Sequence, residues 1–531
     1  MTGPPPQRPH EPVPGNPYVR PPVPPAPARS ATGAVVWILV AAVLAAVGAG
    51  VGAYAVLKED GGAGSDGFRE PVAREPGAPA GPSGSGERTD RPGADGDGDG
   101  GGGKPRHVDV NAGREPGEAK GRLYLNDVKL PGRGASSNDL WAADGFVVQA
   151  LYDTVTAYRV RDGEQAWSLR LPAPVCDTPV NAGDGGKVVV AYTNGNTSGS
   201  RTCDRLQQID LRTGAKGWHR RLVERGVGDR TSTVHLAVSG GTLAVAQEYV
   251  VHGFRLSDGK RIFTEEHRRT GPCLLEDVAG GERLLYVDTC APGAPKAHDE
   301  VRRVDPRTGR TAWRYRTKAG WNVAKVYSVD PLVLAVRNNE EYEKWAVVAV
   351  DGDGKQRSWT RLDRGPHTFE MCTGAGDSGE GVQNCPGGVV NGDTLYLATE
   401  PEDGAALGRN KVVAFDLATG RARWAAAVGK GKQGRQLTPV REVGAGKRPG
   451  VVVYVRAQLG KVGRTVRFAA AGGRPEVLLR HPTPGREWET YMFAGETLYS
   501  GGRFFVTPTR IDPDSPLEGD KDQGRMLSVG R

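Results

Sequence analysis

Three features of this sequence place reactive residue types at spacings that could do chemistry. Gly376-Asp377-Ser378-Gly379 has the form of the segment around a protease serine. Asp95-Gly96-Asp97-Gly98-Asp99-Gly100 imitates the first half of a calcium-binding loop. Six cysteines, Cys176, Cys203, Cys273, Cys290, Cys372 and Cys385, could pair or hold a metal. The serine needs a histidine and an aspartate brought to it by a specific fold. Its segment lies in a Gly-rich insertion between Cys372 and Cys385, so the expectation is a disulfide-tied surface loop. An EF-hand needs a bidentate Glu at the twelfth loop position, where Arg106 stands, and two flanking helices. That stretch therefore reads as low-complexity linker. Zinc-protease, nucleophile-elbow and phosphate-loop motifs are absent from the sequence. Asn196-Thr197-Ser198 fits a glycosylation sequon, but the Ala/Gly/Arg-rich composition is that of a high-G+C bacterium, which discounts it.

The elements around these residues follow from composition. The chain has 531 residues, 77 of them Gly and 39 Pro, too much punctuation for one compact domain. Hydrophobic residues make up 37 % and only one long apolar run occurs, which excludes a multi-span membrane protein. The net charge of +8 carries no basic run interleaved with aromatics, so no nucleic-acid partner is expected. Basic surface could favour anionic lipid or cell-wall polymer.

Residues 1–33 are proline-dense and read as a disordered cytoplasmic tail, with PxxP spacing at Pro14/Pro17 and Pro21/Pro24. Residues 34–57, AVVWILVAAVLAAVGAGVGAYAVL, contain no charged residue. At about 1.5 Å per residue the run reaches roughly 36 Å, enough for a transmembrane helix. Arg8, Arg20 and Arg29 precede it against one acid, Glu11, so the positive-inside rule puts the N-terminus in the cytoplasm. The alternative is a cleaved signal peptide with Ala53-Tyr54-Ala55 as its site. Residues 58–120 are Gly, Pro and charged residues, a disordered linker.

From residue 121 to 531 the chain repeats. Trp167, Trp218, Phe263, Trp313, Trp359 and Trp424 each close one copy. Nine residues earlier lies an apolar residue, and eight earlier an Asp at 210, 305, 351 and 416. Four earlier lies Gly at 163, 214, 259, 309 and 420, while in the Trp359 copy it comes one place earlier, at Gly354. The Asp is suited to accept the turn's N–H groups, the Gly to supply the tight hairpin, and the aromatic to fill the gap between sheets. Asp210, Trp218, Asp305, Trp313, Asp351, Trp359, Asp416 and Trp424 are thus read as structural staples. Alternating β-branched segments such as Val188 to Tyr192 and Leu332 to Val336 precede each hairpin. Four short strands per copy predict an all-β chain built as a β-propeller. Seven copies are visible, the last, Val466 to Leu479, degenerate and without the aromatic. Thr497 to Tyr499, Phe504 to Val506 and Met526 to Val529, joined by Leu123 to Leu125, could make an eighth blade, with seven blades as the alternative.

The pattern V-x-x-[apolar]-D-x-x-T-G-x-x-x-W, as in Val301 to Trp313 and Val412 to Trp424, resembles the repeat of pyrroloquinoline-quinone-like β-propellers. That family includes quinone-dependent alcohol dehydrogenases and a non-enzymatic propeller lipoprotein of the outer-membrane assembly machinery. The resemblance implies fold rather than activity. The enzymes' adjacent-cysteine pair has no match here, nor does C-x-x-C-H, so no cofactor is expected and no catalytic or metal residue is assigned.

In the repeat frame Cys176 and Cys203 share one copy, Cys273 and Cys290 another, and Cys372 and Cys385 a third. Sequential disulfides within blades are expected, in an oxidising compartment. The expected whole is a non-catalytic binding or scaffold module on the outer side of the cytoplasmic membrane. Residues 34–57 would anchor it, and a protein or cell-envelope ligand would sit on a propeller face. The competing class is an enzyme with an unfamiliar site in the channel.

Overall fold

The structure is a computed structural model. It describes residues 109–531 apart from 133, 197–200, 225–230, 232–233, 267–270, 372–380, 384, 386, 403–407, 430–433, 445–447, 459, 493–494 and 512–522. The expected tail, membrane helix and calcium-like stretch, and Gly376 to Gly379, lie outside the described residues. Among the described residues no helix is long and apolar enough to cross a membrane.

Among the described residues the strands form eight antiparallel four-stranded units, and the short strand Arg510–Ile511 adds a fifth to the edge of the first. Blade 1 runs from its first strand, Ala135–Ala143, to its last, Gln165–Arg170. Blade 2 runs from Val175–Asp177 to Lys216–Arg221, and blade 3 from Val234–Ser239 to Arg261–Glu266. Blade 4 runs from Cys273–Ala279 to Thr311–Arg316, and blade 5 from Trp321–Val329 to Gln356–Arg361. Blade 6 runs from Gly388–Asn391 to Ala422–Ala426, and blade 7 from Leu437–Val443 to Gly472–Arg480. Blade 8 begins with Thr497–Ser500 and ends with the N-terminal strand Lys120–Leu125, which pairs antiparallel with Gly524–Gly530. The two ends of the domain thus share one sheet, and unfolding either end must break the other's hydrogen bonds.

The first strands neighbour one another around the axis. Arg441 to Val443 pairs in parallel with Leu498 to Ser500, linking blades 7 and 8. The second strands are the most deeply buried, because sheets cover them on both faces. In Thr242–Gln247 all six side chains are buried, whereas the outer Arg261–Glu266 is largely exposed. This is why the inner segments read as continuous apolar runs and the outer ones do not. The core is a set of inter-blade layers. Leu334, Val336, Val348 and Val350 of blade 5 meet Val287 and Val301 of blade 4, all fully buried. Each such side chain contributes about 1.5–3 kcal/mol.

Residues 109–119, which read as linker, belong to the folded unit. Val110 and Ala119 are buried against blades 7 and 8, and Asn111 exchanges two hydrogen bonds of 2.9 Å with the Gly121 backbone. Polar composition hid them, since much of the anchoring is done by polar side chains: Asn111 on the Gly121 backbone, and Glu118, which accepts the Thr483 N–H and hydroxyl.

Candidate functional site

Asp210 Oδ1 accepts the N–H groups of Arg212 and Thr213, at 3.0 and 3.2 Å. Asp305 does the same with Arg307 and Thr308, at 2.8 and 3.0 Å. Asp351 takes Asp353 and Lys355, at 2.9 and 2.8 Å, and Asp416 takes Thr419 at 2.7 Å. Arg423, with the Thr419 N–H, brings the Asp416 carboxyl down to about 2. These carboxylates close turns.

In blades 1 to 4 and in blade 6 the aromatic reaches the turn of the next blade. Trp218 Nε1 donates to the Leu256 carbonyl at 2.9 Å, Trp313 to Gly352 at 2.8 Å and Trp424 to Ala470 at 2.9 Å. Their rings, with those of Trp167 and Phe263, are what a Cβ would strike on Gly259, Gly354, Gly472, Gly214 and Gly309. Tyr124, which sequence reasoning missed, does this for blade 8. Its hydroxyl donates to the Gly163 carbonyl of blade 1 at 2.7 Å.

Trp359 is the exception and corrects the expected set. The shorter hairpin at Gly354 pairs Ala349 with Ser358 where Arg303 pairs with Trp313, so Trp359 falls one position further along. Side chains alternate faces along a strand, and a one-residue shift turns the ring over. Ser358 now holds the staple position, its Oγ donating to the Leu417 carbonyl at 2.8 Å. Trp359 instead packs edge-on to Trp321, centroids 5.3 Å apart, under the Lys318 ammonium.

Two disulfides lie within blades, Cys176–Cys203 and Cys273–Cys290. Cys385 is disulfide-bonded too, and its expected partner Cys372 is outside the described residues. Cys273, Cys290 and Glu300 come together at metal-ligand distances, but both sulfurs are in the disulfide and cannot act as thiolate ligands.

What remains is the axis. A cavity of about 680 Å³ is lined by the first-strand regions of blades 1, 2 and 4 to 8, including Trp141, Asn181, Tyr327, Arg441 and Glu496. Side chains cross it. Arg441 of blade 7 donates to the carbonyls of Leu140 (2.5 Å) in blade 1 and Val180 (3.2 Å) in blade 2. Asn181 and Gln383 both donate to the Gly280 carbonyl at 3.0 Å.

The insertion read as a surface loop enters this region with its described end. Val382 N donates to Asp277 Oδ2 at 2.5 Å, Gly280 N to Gln383 Oε1 at 2.6 Å, and Lys325 Nζ to the Gly381 carbonyl at 3.2 Å. Val326 N bonds the Val382 carbonyl at 2.7 Å. Gly381–Gln383 therefore sits against the inner strands of blades 4 and 5.

Acidic side chains tie blade to blade. Asp177 Oδ2 accepts Leu236 N at 2.7 Å, from blade 2 to blade 3. Asp139 accepts the Thr178 hydroxyl at 2.9 Å, and Glu496 accepts Leu140 N at 2.9 Å, joining blades 1 to 2 and 8 to 1. Asp299 accepts Val323 N at 2.6 Å, from blade 4 to blade 5. Burial, with the Asp277 and Asp139 charges, holds Asp177 well above the usual carboxylate range. Burial raises Asp277 as well, against the pull of His235, the Val278 and Val382 N–H groups and Lys325. Partial desolvation and the Asp277 charge raise Glu276, which is itself exposed on its strand. None of these residues carries a repeat signature.

No curated protein sequence matches. Among solved structures, BamB from Moraxella catarrhalis is similar at 14 % identity and a TM-score of 0.40, over 78 % of this chain and 98 % of that one. A quinohemoprotein alcohol dehydrogenase from Comamonas testosteroni is similar at 15 % identity and a TM-score of 0.42, over 80 % of this chain and 77 % of that one. The family model described as outer membrane protein assembly factor BamB matches residues 127–272 and 269–500, more than half of the 531 residues, and the chain belongs to that family of quinone-type β-propeller repeats.

Proposed function

We propose that this chain is a non-catalytic binding or scaffold module of the cell envelope. Residues 34–57 hold it on the cytoplasmic membrane, and the propeller lies on the outer side. Its partner is a protein or envelope component bound where the axial cavity opens. The observation that carries this reading is the use made of the acids that tie blade to blade. Asp139, Asp177, Asp277 and Glu496 each accept a hydrogen bond from a neighbouring blade or from the insertion. Groups committed to holding blades together are poorly placed to exchange protons with a substrate. The disulfides agree with an oxidising compartment.

A photoreactive residue at Glu282 or Thr497, both lining the cavity, tests this in intact cells. A discrete protein adduct absent from a control placed at exposed Tyr342 is the expected result. No adduct, with a small molecule co-purifying with the full chain, overturns it.

One observation favours the enzyme class as a second reading. Asp177, Asp277 and Glu276 form a group of neighbouring carboxyls held above their ordinary range, an arrangement that acid–base sites use. It requires a turnover that Glu276→Gln abolishes without altering the melting temperature.

A further inference from the structure

The interface between blades 5 and 6 is built differently from its neighbours. At five other interfaces a Trp or Phe ring packs against the turn glycine of the next blade. Here Gly420 meets Ser358 and Thr360 instead, because the short hairpin at Gly354 has turned Trp359 to the opposite face. A ring's volume is missing, and a pocket of about 330 Å³ opens beside Gly420. Its walls are apolar: Leu362, Phe369, Val413, Phe415 and Ala425. Phe369 and Phe415 are buried, with ring centroids 5.5 Å apart, so the pocket already has an aromatic wall. Above it the turn Leu362–Arg364 carries Asp363, paired at 2.6 Å with Arg361 of the preceding strand, and exposed Arg364. Both guanidinium charges act on the one carboxylate of Asp363, and among the described residues Arg364 forms no hydrogen-bonded ion pair, so the rim keeps a net positive charge.

We propose that this pocket docks an aromatic side chain from an acidic peptide segment of a protein partner. The ring takes the place that an indole or phenyl ring takes at the other interfaces. Offset stacking on Phe415 and Phe369 favours it over an aliphatic chain of equal size. A carboxylate next to the aromatic in the peptide meets Arg364. The pocket lies between the outer parts of two blades and shares no lining residue with the axial cavity. The two sites therefore stand or fall separately: loss of peptide binding here leaves crosslinking at the channel unaffected, and the reverse.

The test is calorimetric titration of the full chain with two peptides, acetyl-Glu-Trp-Glu-Asp-amide and its Trp→Ala counterpart. The Trp peptide should bind at least ~10-fold more tightly, as a buried aromatic anchor does. Ala425→Trp fills the pocket from an exposed wall position and should remove that preference with the melting temperature kept. Ser358→Trp restores the missing ring and should do the same. Arg364→Glu should weaken the Trp peptide roughly 3- to 10-fold, and a Lys-Trp-Lys peptide should then gain. Equal binding of the Trp and Ala peptides overturns the proposal. So does a preference that survives Ala425→Trp in folded protein, whatever Ser358→Trp does to folding.

Discussion

The Trp167 ring of blade 1 packs so closely on Gly214 of blade 2 that a Cβ there would stand 2.6 Å from it. Gly214 also has φ of +72°, which a side chain resists. Gly214→Ala therefore meets two penalties, backbone strain and overpacking, and should cost about 2–4 kcal/mol. Gly145→Ala isolates the first. Its φ is +85°, but nothing lies within 4 Å of the added Cβ, so about 1 kcal/mol is expected. Denaturant melts of the two variants check this, and equal costs would show that the aromatic contact adds nothing.

Trp218 separates a staple's packing from its hydrogen bond. Trp218→Phe keeps a ring in the layer with Leu243, Val245 and Phe254 but loses the bond to the Leu256 carbonyl. It should cost about 1 kcal/mol. Trp218→Ala removes the ring and should cost about 3 kcal/mol, the half-buried position keeping it at the low end for such truncations. Any partner binding by the folded fraction should survive both, since the ring faces the next blade. A loss of binding in folded Trp218→Phe would mean that this hairpin is part of a site.

The hairpins were legible because each is a local device: Asp, Gly and aromatic lie within nine residues, and their roles follow from turn chemistry alone. What joins blades was less so. Tyr124 closes the ring onto Gly163, but its strand is first in sequence and last in the sheet, so it falls outside any repeat alignment. Asp177, Asp277 and Asp299 act on N–H groups of segments 24 to 105 residues away, and nothing next to them in sequence announces that. The displaced Gly354 was visible as an irregularity. Its consequence, a tryptophan on the wrong face and a pocket beside Gly420, follows from the two-residue period of a strand. Gly381–Gln383 had little such signal, because one valine, Val382, in a glycine-rich and polar insertion does not announce that it packs into the core of blades 4 and 5.

Arg441 braces the closure of the ring by spanning from blade 7 to carbonyls in blades 1 and 2. Removing the guanidinium leaves two inward-facing carbonyls without that donor. Arg441→Ala should therefore cost about 2–3 kcal/mol. Arg441→Lys should recover less than half, since an ammonium cannot hold the same forked geometry. Hydrogen exchange is the discriminating measurement. The Leu140 and Arg441 strands should lose protection in Arg441→Ala while the outer Lys216–Arg221 strand does not.

Asp299 gives the fold a pH dependence whose sign can be worked out. Burial pushes its carboxyl from an ordinary 3.8 up to about 6, against the hydrogen bonds from Val323 N and from the Thr289 and Asn322 side chains. Between those values the folded chain holds a proton there that the unfolded chain has released. Unfolding then releases protons, so this group's contribution to stability falls as pH rises from about 4 to about 6, and is constant above. The full span is worth ~3 kcal/mol. Asp299→Asn cannot titrate, and its cost from altered hydrogen bonding is the same at every pH. Subtracting its unfolding free energy from that of the natural chain cancels the groups that do not interact with Asp299, leaving Asp299 and its coupling to the Glu276 charge. The difference should fall by about 2–3 kcal/mol between pH 4 and pH 7. A flat difference would mean that Asp299 titrates alike in both states, and a rising one that the three hydrogen bonds outweigh burial and hold the carboxylate charged.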